Sequence, residues 1–462
     1  MCGIGAVIHK TDDINVMLYE IMFNLQHRGQ DSSGLLSYDT TTDTVHELKE
    51  FGLIDRQLKN LSTLKGSMGI GHVRYPTQGI ITKNEIQPFY VEDFGGISLI
   101  HNGNIVNVSE LKLTLAESGI ELAGSSDSEV IQKLFIYFLK LECYDSSELS
   151  NEIIYKAIQR IYDSCKGSYA IILMINHFGL VAFRDIYGIR PLVYSQEDLY
   201  IAFASETIAF PTDNFTNINN GEVIIVADGK LTKTQLCKRP HTPCLFEYIY
   251  FARPESYINN VLVYDFREKI AEDLVSIFNK CNIDISNNID CVIPVPQTGL
   301  ISAINVGQLL KKPIKHAIIK NRYMHRTFIN PDKNTIVKNI KKIKIVKSLV
   351  QNKNLLVVDD SIVRGNTSRY IISELRKCGA KKIYLASCCP PIRNPNIYGI
   401  AIPSHNELIA YNKTENEVEK EIGADKLIYL DLDSLCKTLR ELNPALEQFE
   451  TSVFDGNYIT ES

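Results

Sequence analysis

Four apolar residues that run straight into two carboxylates and a glycine-containing loop leave a chain few ways to fold. Residues 355–368 read Leu-Leu-Val-Val-Asp-Asp-Ser-Ile-Val-Arg-Gly-Asn-Thr-Ser. The apolar run 355–358 has the length and composition of a short strand buried on both faces, as in a parallel sheet. Asp359 and Asp360 end it, and a loop with Gly365 follows. Thr367 is placed to cap a helix with Tyr370, Ile371 and Leu375 on its apolar face. In open α/β sheets, ligands bind beyond the carboxyl ends of the strands. A helix N-terminus offers unpaired N–H groups to an anion, and Gly365 permits close backbone approach. Paired carboxylates suit hydroxyls or a hydrated Mg²⁺. Sugar plus phosphate is the chemistry this stretch predicts; a solvated acidic turn before an ordinary helix is the alternative.

The run resembles the phosphoribosyl diphosphate (PRPP) motif of the type I phosphoribosyltransferases. Around it, strands and helices alternate. Asp265 can cap a helix with Ile270, Leu274 and Ile277 on one side, and Val292-Ile293-Pro294-Val295-Pro296 reads as a strand entering Gln297-Thr298-Gly299. A helix is expected over 300–310, with strands at 314–319, 383–386 and 427–430. Such alternation argues for a parallel sheet. The resemblance implies that Asp359 and Asp360 hold the ribose hydroxyls and support Mg²⁺, and that Thr298 meets pyrophosphate and metal. It assigns Ser361 and Arg364 to PRPP as well, with Gly365, Asn366, Thr367 and Ser368 cradling the 5′-phosphate.

The start of the chain carries different chemistry. Cys2 directly follows Met1, so removal of the methionine would put a thiol and a free α-amine on one residue. That amine, with an unperturbed pKa of about 7.7–8.0, can take a proton near neutrality, where a lone thiol is mostly un-ionised. An N-terminal residue that serves as nucleophile and base is a known variant of triad logic. Asp13 can cap a helix with Ile14, Met17, Leu18, Ile21, Met22 and Leu25 facing the core, ended by Gly29 in Gln26-His27-Arg28-Gly29. Strands are expected at 34–38, 45–48, 68–73 and 97–100, and again at 169–175, 180–183, 200–204 and 223–226. Between them, helices open at Ser125-Ser126-Asp127-Ser128-Glu129 and run over 153–161. This is the pattern of a layered α+β domain.

Amide hydrolysis requires donors aimed at an oxyanion. The Asn102 side chain and Gly103 N–H, in His101-Asn102-Gly103-Asn104, can supply them. Arg74, in Gly71-His72-Val73-Arg74-Tyr75-Pro76-Thr77, offers a planar fork for an amino-acid carboxylate, and Asp127 suits the ammonium. Singly, these residues read equally well as a surface ion pair, a helix cap and a turn. Together with Cys2-Gly3-Ile4, Gln26-His27-Arg28-Gly29 and Ser126-Asp127-Ser128-Glu129 they resemble the class II glutamine amidotransferases, which are N-terminal-nucleophile hydrolases with a four-layer αββα fold. The resemblance implies catalysis by Cys2, Asn102 and Gly103, and glutamine binding by Arg28, Arg74 and Asp127.

Over essentially the whole chain the two halves are similar to the amidophosphoribosyltransferase family, including the aromatic join at residues 246–256. Members transfer ammonia from glutamine to C1 of PRPP, the first committed step of purine synthesis. Membership implies a glutaminase domain at 2–235, a phosphoribosyltransferase domain at 255–440 and a C-terminal tail at 441–462. It also implies one Mg²⁺ per subunit, a homotetramer, inhibition by purine nucleotides, and a flap over PRPP that includes Tyr323 and Arg326. The lysines that follow (Lys333, Lys338, Lys341, Lys342, Lys344 and Lys347) also read as a solvated face. Two positions depart from the family: His325 stands where glycine is frequent, and Gln297 where an acid is usual. Some relatives bind an iron–sulfur cluster through four cysteines. Here Cys244 occupies one position, Asn396 replaces another and the C-terminal pair is missing, so no cluster is expected.

Composition narrows the remaining classes. The 462 residues allow about two or three domains. A net charge of −5 provides no basic surface for nucleic acid. No apolar run reaches ~18 residues, which argues against a membrane span, and the first residues lack the basic and apolar regions of a signal peptide. The eleven cysteines are scattered without a C-x₂-C pair, and the vicinal Cys388-Cys389 is not a zinc pattern, so a reduced compartment, the cytoplasm, is expected. A glutaminase serving fructose 6-phosphate or aspartyl-adenylate is disfavoured by the PRPP-type run. A catalytically silent nucleotide sensor is disfavoured by the Cys2 constellation.

Overall fold

The computed structural model describes residues 2–10, 14–75, 82–143, 149–280, 288–320, 343–402 and 404–460. The first half runs β1 (Gly3–His9), α1 (Asn15–Asn24), β2 (Ser32–Asp39), β3 (Thr44–Phe51), β4 (Met68–Arg74), β5 (Phe89–Val91) and β6 (Ile97–Ile105). Three helices follow, α2 (Val108–Glu117), α3 (Asp127–Glu142) and α4 (Asn151–Ser164). The half closes with β7 (Gly167–Ile175), β8 (Gly179–Arg184), β9 (Val193–Gln196), β10 (Tyr200–Ala204), β11 (Thr216–Asn217), β12 (Glu222–Ala227) and β13 (Lys230–Gln235). These strands form a seven-stranded sheet, β11-β9-β10-β1-β4-β2-β3, and a six-stranded sheet, β13-β12-β8-β7-β6-β5.

The period-2 geometry of a strand explains the layering. Along β7, Tyr169, Ile171, Leu173 and Ile175 face α3 and α4, while Ala170, Ile172 and Met174 face the other sheet. On the far side, Ile14, Leu18, Ile21 and Met22 of the α1 segment pack over Val7, Leu35 and Val73. The result is the αββα sandwich. The helix expected to reach Gly29 stops at Asn24, because Gln26–Arg28 closes a 3₁₀ turn. Gln26 Oε1 accepts the Ile54 N–H at 2.7 Å, and the turn directs Arg28 inward. Asp13, the expected cap, lies outside the described residues.

The second half contains the hairpin β14 (Tyr257–Ile258) and β15 (Val261–Leu262), then α5 (Val263–Lys280), β16 (Cys291–Pro294), α6 (Leu300–Leu309), β17 (Ile318–Lys320) and β18 (Ile343–Ile345). It continues with β19 (Asn354–Asp359), α7 (Asn366–Lys377), β20 (Lys382–Ser387), α8 (Glu415–Ile422), β21 (Lys426–Tyr429) and α9 (Leu432–Leu442). Strands β16-β19-β20-β21 form a parallel sheet. It is covered on both faces: Leu356 and Val358 meet α5 and α9, and Leu355 and Val357 meet α7 and α8. Asp265, expected to cap α5, lies within its first turn. The strand expected at 314–319 is divided, with Ile314 bridging to Val292 before β17 begins at Ile318.

The join is part of a core and not a linker. Leu245, Phe246, Tyr248 and Ile249 pack with Ile189 of the first half, with α5, and with Phe449, Val453 and Phe454 near the C-terminus. Cys244 and Glu450 bridge in parallel, and the Leu245 N–H donates to the Glu450 carbonyl at 3.1 Å. Phe454 lies 6.3 Å from Phe246, ring centroid to centroid. Phe454→Ala should therefore destabilise the chain by about 3 kcal/mol, read as a lower urea midpoint. An unchanged midpoint would show that the C-terminal segment merely lies on the surface.

Candidate active sites

Strands β1 and β4 pair so that Gly3 lies opposite Val73, which brings Cys2 beside the Arg74 end of β4. Across the sandwich, His101-Asn102-Gly103-Asn104 lie within the last part of β6, which runs on to Ile105, past the strand expected over 97–100, and they meet the first turn of α3. The Cys2 nitrogen, an amide while Met1 is attached and an α-amine once it is removed, donates to Asn102 Oδ1 at 3.2 Å. Asn102 is 1% exposed, and its Nδ2 has no hydrogen-bond partner. Buried amide donors are normally paired, so an unpaired one marks a place where a ligand acceptor can be met. Gly103 has φ +153°, and a Cβ there would lie 2.0 Å from the Ser168 carbonyl oxygen. Only glycine fits.

A buried network fixes this strand end. Gln87 Oε1 accepts the His101 N–H at 2.7 Å, and its Nε2 donates to Ser128 Oγ at 2.9 Å. His101 Nδ1 is 3.0 Å from Ser128 Oγ. Asp127 is in the first turn of α3, whose cap is Ser126; Asp127 Oδ2 accepts the Ile105 N–H at 3.2 Å. Its carboxylate retains acceptor capacity for an ammonium. Arg74 Nη1 donates to the Glu85 carbonyl at 2.6 Å, which uses one of five guanidinium donors. Burial, and then the Arg74 charge, push His72 down to about 3. Burial also lowers His101 against the opposing pull of Asp127.

Arg28 takes a different position from the one its grouping with Arg74 suggests. Its side chain is fully buried, and its guanidinium meets Glu206 and Glu247. Arg28 Nε donates to the Cys2 carbonyl at 2.9 Å. Its connection to the site runs through the backbone of Cys2.

The second constellation lies at the carboxyl end of β19. Asp359 and Asp360 are each 7% exposed. Burial, and then the neighbouring Asp360, raise Asp359 well above the carboxylate range. Burial raises Asp360 too, against hydrogen bonds from Ser361 and Thr298 and the charge of Arg267. Ser361 Oγ and Thr298 Oγ1 both donate to the Asp360 carboxylate. Two buried carboxylates that repel each other gain when a cation or hydroxyl groups arrive. Among the described residues no group of three His, Cys, Asp or Glu side chains converges as a metal cage. Two carboxylates plus hydroxyls nevertheless fit Mg²⁺, which draws much of its octahedron from water and substrate phosphate.

Beyond the carboxylates, α7 begins at Asn366, with Gly365 as its N-cap at φ 71° and no side-chain cap. This corrects the expectation for Thr367, which sits inside the first turn. The first helical bond runs from the Arg369 N–H to the Gly365 carbonyl at 2.9 Å, so the N–H groups of Asn366, Thr367 and Ser368 have no acceptor within the helix. A Cβ at Gly365 would lie 2.3 Å from Ile409 Cδ1. The loop is thus pressed onto Ile409, and these amides are the groups an anion would meet at the start of the helix. Arg364 points aside to Glu407, with Nε 2.5 Å from Oε2.

Comparison with known proteins adds a family to this geometry. A glutamine amidotransferase domain matches residues 72–212, and a phosphoribosyl transferase domain matches residues 265–396. The amidophosphoribosyltransferase of Pasteurella multocida is 41% identical, covering 100% of this chain and 93% of its own. The chain belongs to the amidophosphoribosyltransferase family. Two solved structures superpose along its whole length. One is the glutamine PRPP amidotransferase of B. subtilis complexed with ADP and GMP, with TM-score 0.86, 31% identity and 98% of that chain covered. The other is described as the allosteric regulatory enzyme of purine biosynthesis, with TM-score 0.87, 32% identity and 96% of that chain covered.

An amidophosphoribosyltransferase needs two sites, and the expected residues gather into two groups. Cys2, Asn102, Gly103 and Asp127 surround the end of β6, with Arg74 at the neighbouring end of β4. Thr298, Asp359, Asp360, Ser361 and residues 365–368 surround the end of β19. Tyr323, His325 and Arg326 of the expected flap lie outside the described residues, as do Pro76 and Thr77. Sequence reading missed Gln87 and Glu206, and it met Ser128 and Glu247 only within longer runs without giving them a role. Their contacts come from distant parts of the chain, and nothing in local periodicity marks them.

The buried His72 yields a pH test. Its pKa in the folded chain lies below the unfolded value of about 6.5. The unfolded chain therefore binds the extra proton, and stability falls as pH drops below about 6.5, by up to about 1.4 kcal/mol per pH unit. His72→Gln removes that term. Denaturant midpoints taken from neutral pH down to about pH 4.5 should fall less steeply for the variant than for the unmodified protein; parallel slopes would contradict the assignment.

Proposed function

We propose that this chain makes 5-phospho-β-D-ribosylamine, glutamate and diphosphate from PRPP, glutamine and water, opening de novo purine synthesis. The reading rests on one observation: a Cys2–Asn102 nucleophile constellation and an Asp359–Asp360 strand end are joined through a common core in one chain. Residues 2–235 carry the glutamine half-reaction, and residues 255–440 carry the ribosyl half-reaction.

At the first site, Arg74 and Asp127 hold the α-carboxylate and α-ammonium of glutamine. The Cys2 α-amine takes the thiol proton, and Sγ attacks the side-chain amide carbon. Asn102 Nδ2 and the Gly103 N–H donate to the oxyanion, a role supported by the unpaired, buried Nδ2. The proton passes to the departing nitrogen, ammonia leaves, and water cleaves the thioester to release glutamate. Arg28 acts on this chemistry by holding the Cys2 carbonyl.

At the second site, Asp359 and Asp360 accept the ribose hydroxyls, and the amides of 365–368, with the Thr367 and Ser368 hydroxyls, hold the 5′-phosphate. Ser361, which donates to Asp360, and Arg364, which would have to leave Glu407, are proposed as further PRPP contacts. Asp359, Asp360 and Thr298 would hold a Mg²⁺, which would supply charge neutralisation for the departing pyrophosphate. Ammonia attacks C1 as that bond breaks, a step that requires water to be kept from the site. Nucleotide complexes of the B. subtilis relative support inhibition by purine nucleotides. A homotetramer in the cytoplasm completes the reading, in keeping with the absence of any helix, among the described residues, long and apolar enough to cross a membrane.

Cys2→Ala should abolish glutamine-dependent synthesis and retain synthesis from ammonium salts, measured as pyrophosphate release from PRPP. Loss of both would contradict two separable sites. Asn102→Ala should lower kcat for glutamine hydrolysis by about 10²–10³, the usual effect of losing one oxyanion donor; an unchanged kcat would remove Asn102 from that role.

A further inference from the structure

On the side of the Cys2 carbonyl, which Arg28 reaches, four charged side chains lie fully enclosed. Arg28, Arg190, Glu206 and Glu247 are all between 0 and 2% exposed. Arg28 meets both carboxylates, and Arg190 Nη1 lies 3.2 Å from Glu247 Oε1. Two positive and two negative charges make the group neutral, which is the condition for burying it. Burial opposes ionisation of Glu206, yet His27 and Arg28 hold its carboxyl below the usual range. Such a cluster is weak evidence of stabilisation, because well-packed apolar residues do as well or better. Its geometry suggests another role.

The two oxygens of Glu206 face different halves of the chain. Oε1 receives His27 Nε2 at 2.8 Å and Arg28 Nη1. Oε2 receives the Arg253 N–H at 2.9 Å and Ser256 Oγ at 2.7 Å, both from the join. On one side the contacts continue from Arg28 Nε to the carbonyl of Cys2 itself. On the other, Arg267 Nη2 donates to the Ala252 carbonyl at 2.8 Å and Nε to the Tyr248 carbonyl at 2.9 Å. Arg267 is carried by α5, and its charge reaches Asp360. We propose that Glu206 is a positioning residue for the glutamine half-reaction: it clamps Arg28, and through it the Cys2 backbone, against the first residues of the second half. The inference rests on Cys2 being the nucleophile. A shift of Arg28 would carry the Cys2 carbonyl with it and change how Sγ and the α-amine meet Asn102, and displacements near 1 Å can cost about 10²-fold in rate.

Two variants test this. Glu206→Gln keeps the shape and removes the charge. Ser256→Ala leaves every charge in place and removes only one contact from the join. Glutamine hydrolysis, ammonia-dependent synthesis and the thermal midpoint are measured for each variant beside the unmodified enzyme. A positioning role predicts that kcat for glutamine falls at least about tenfold in Glu206→Gln and about threefold in Ser256→Ala, with KM within about twofold and ammonia-dependent synthesis unchanged. Unchanged kcat in both variants overturns the proposal. So does a parallel fall of both half-reactions with a lowered midpoint, which is the mark of a merely structural cluster. Should Glu206→Gln fail to fold, Ser256→Ala decides alone. An unmodified enzyme that hydrolyses no glutamine overturns the functional reading instead, and the inference with it.

Discussion

The hydrogen bond between the Cys2 nitrogen and Asn102 Oδ1 imposes the condition that the rest of the first half satisfies, because its partners belong to different sheets. One atom begins β1 in the middle of the seven-stranded sheet. The other lies on β6, near the edge of the six-stranded sheet. On the reading that Cys2 is a nucleophile at a free chain end, no preceding residue aims it, and its direction comes from strand pairing, from Asn102 and from the Arg28 contact to its carbonyl. The layer of Ile4, Ala6, Ile100, Ala170 and Ile172 between the sheets fixes that separation. Close packing transmits any change in it directly to the site.

The second half poses a different problem: two acidic side chains stand at the strand end where the proposed polyanionic substrate would bind. Asp359 and Asp360 would repel PRPP if they met its phosphates unaided. On the proposed reading the sheet separates the tasks: carboxylates at the strand end would take hydroxyls and a cation, and backbone amides at the start of α7 would take the phosphate. Gly365 turns the chain between them and lets it lie on Ile409. Between the two halves, the segment from Cys244 to Ser256 is at once core and contact surface. It buries Phe246 and Tyr248 while delivering the Arg253 amide and Ser256 hydroxyl to Glu206.

Residues whose meaning is local could be read from the chain alone. Position marks Cys2, the strand it ends marks Asp359, and the helix that follows marks Gly365, while Asn102-Gly103 lie inside β6, beyond the expected end of that strand. The sandwich and the parallel sheet follow from the same periodicities. Legibility fails where long-range contacts override local preference. Thr367 has a capping side chain, yet the left-handed turn at Gly365 starts the helix earlier. Arg28 follows a helix with an apolar stripe, and its partners Glu206 and Glu247 stand 178 and 219 residues further on. Phe449 and Phe454 belong to the core beside Phe246, a return that no periodicity within residues 441–462 announces.

The central claim is that a free N-terminal Cys2, held against Asn102, is the group that attacks glutamine. Mass spectrometry after reaction with a glutamine analogue bearing an electrophilic diazoketone tests it most directly. The account predicts a single adduct, on the Cys2 sulfur of a peptide that begins at Cys2, accompanied by loss of glutamine-dependent but not ammonia-dependent synthesis. An adduct on any other cysteine, or complete inactivation of glutamine use in a chain that still carries Met1, would contradict it.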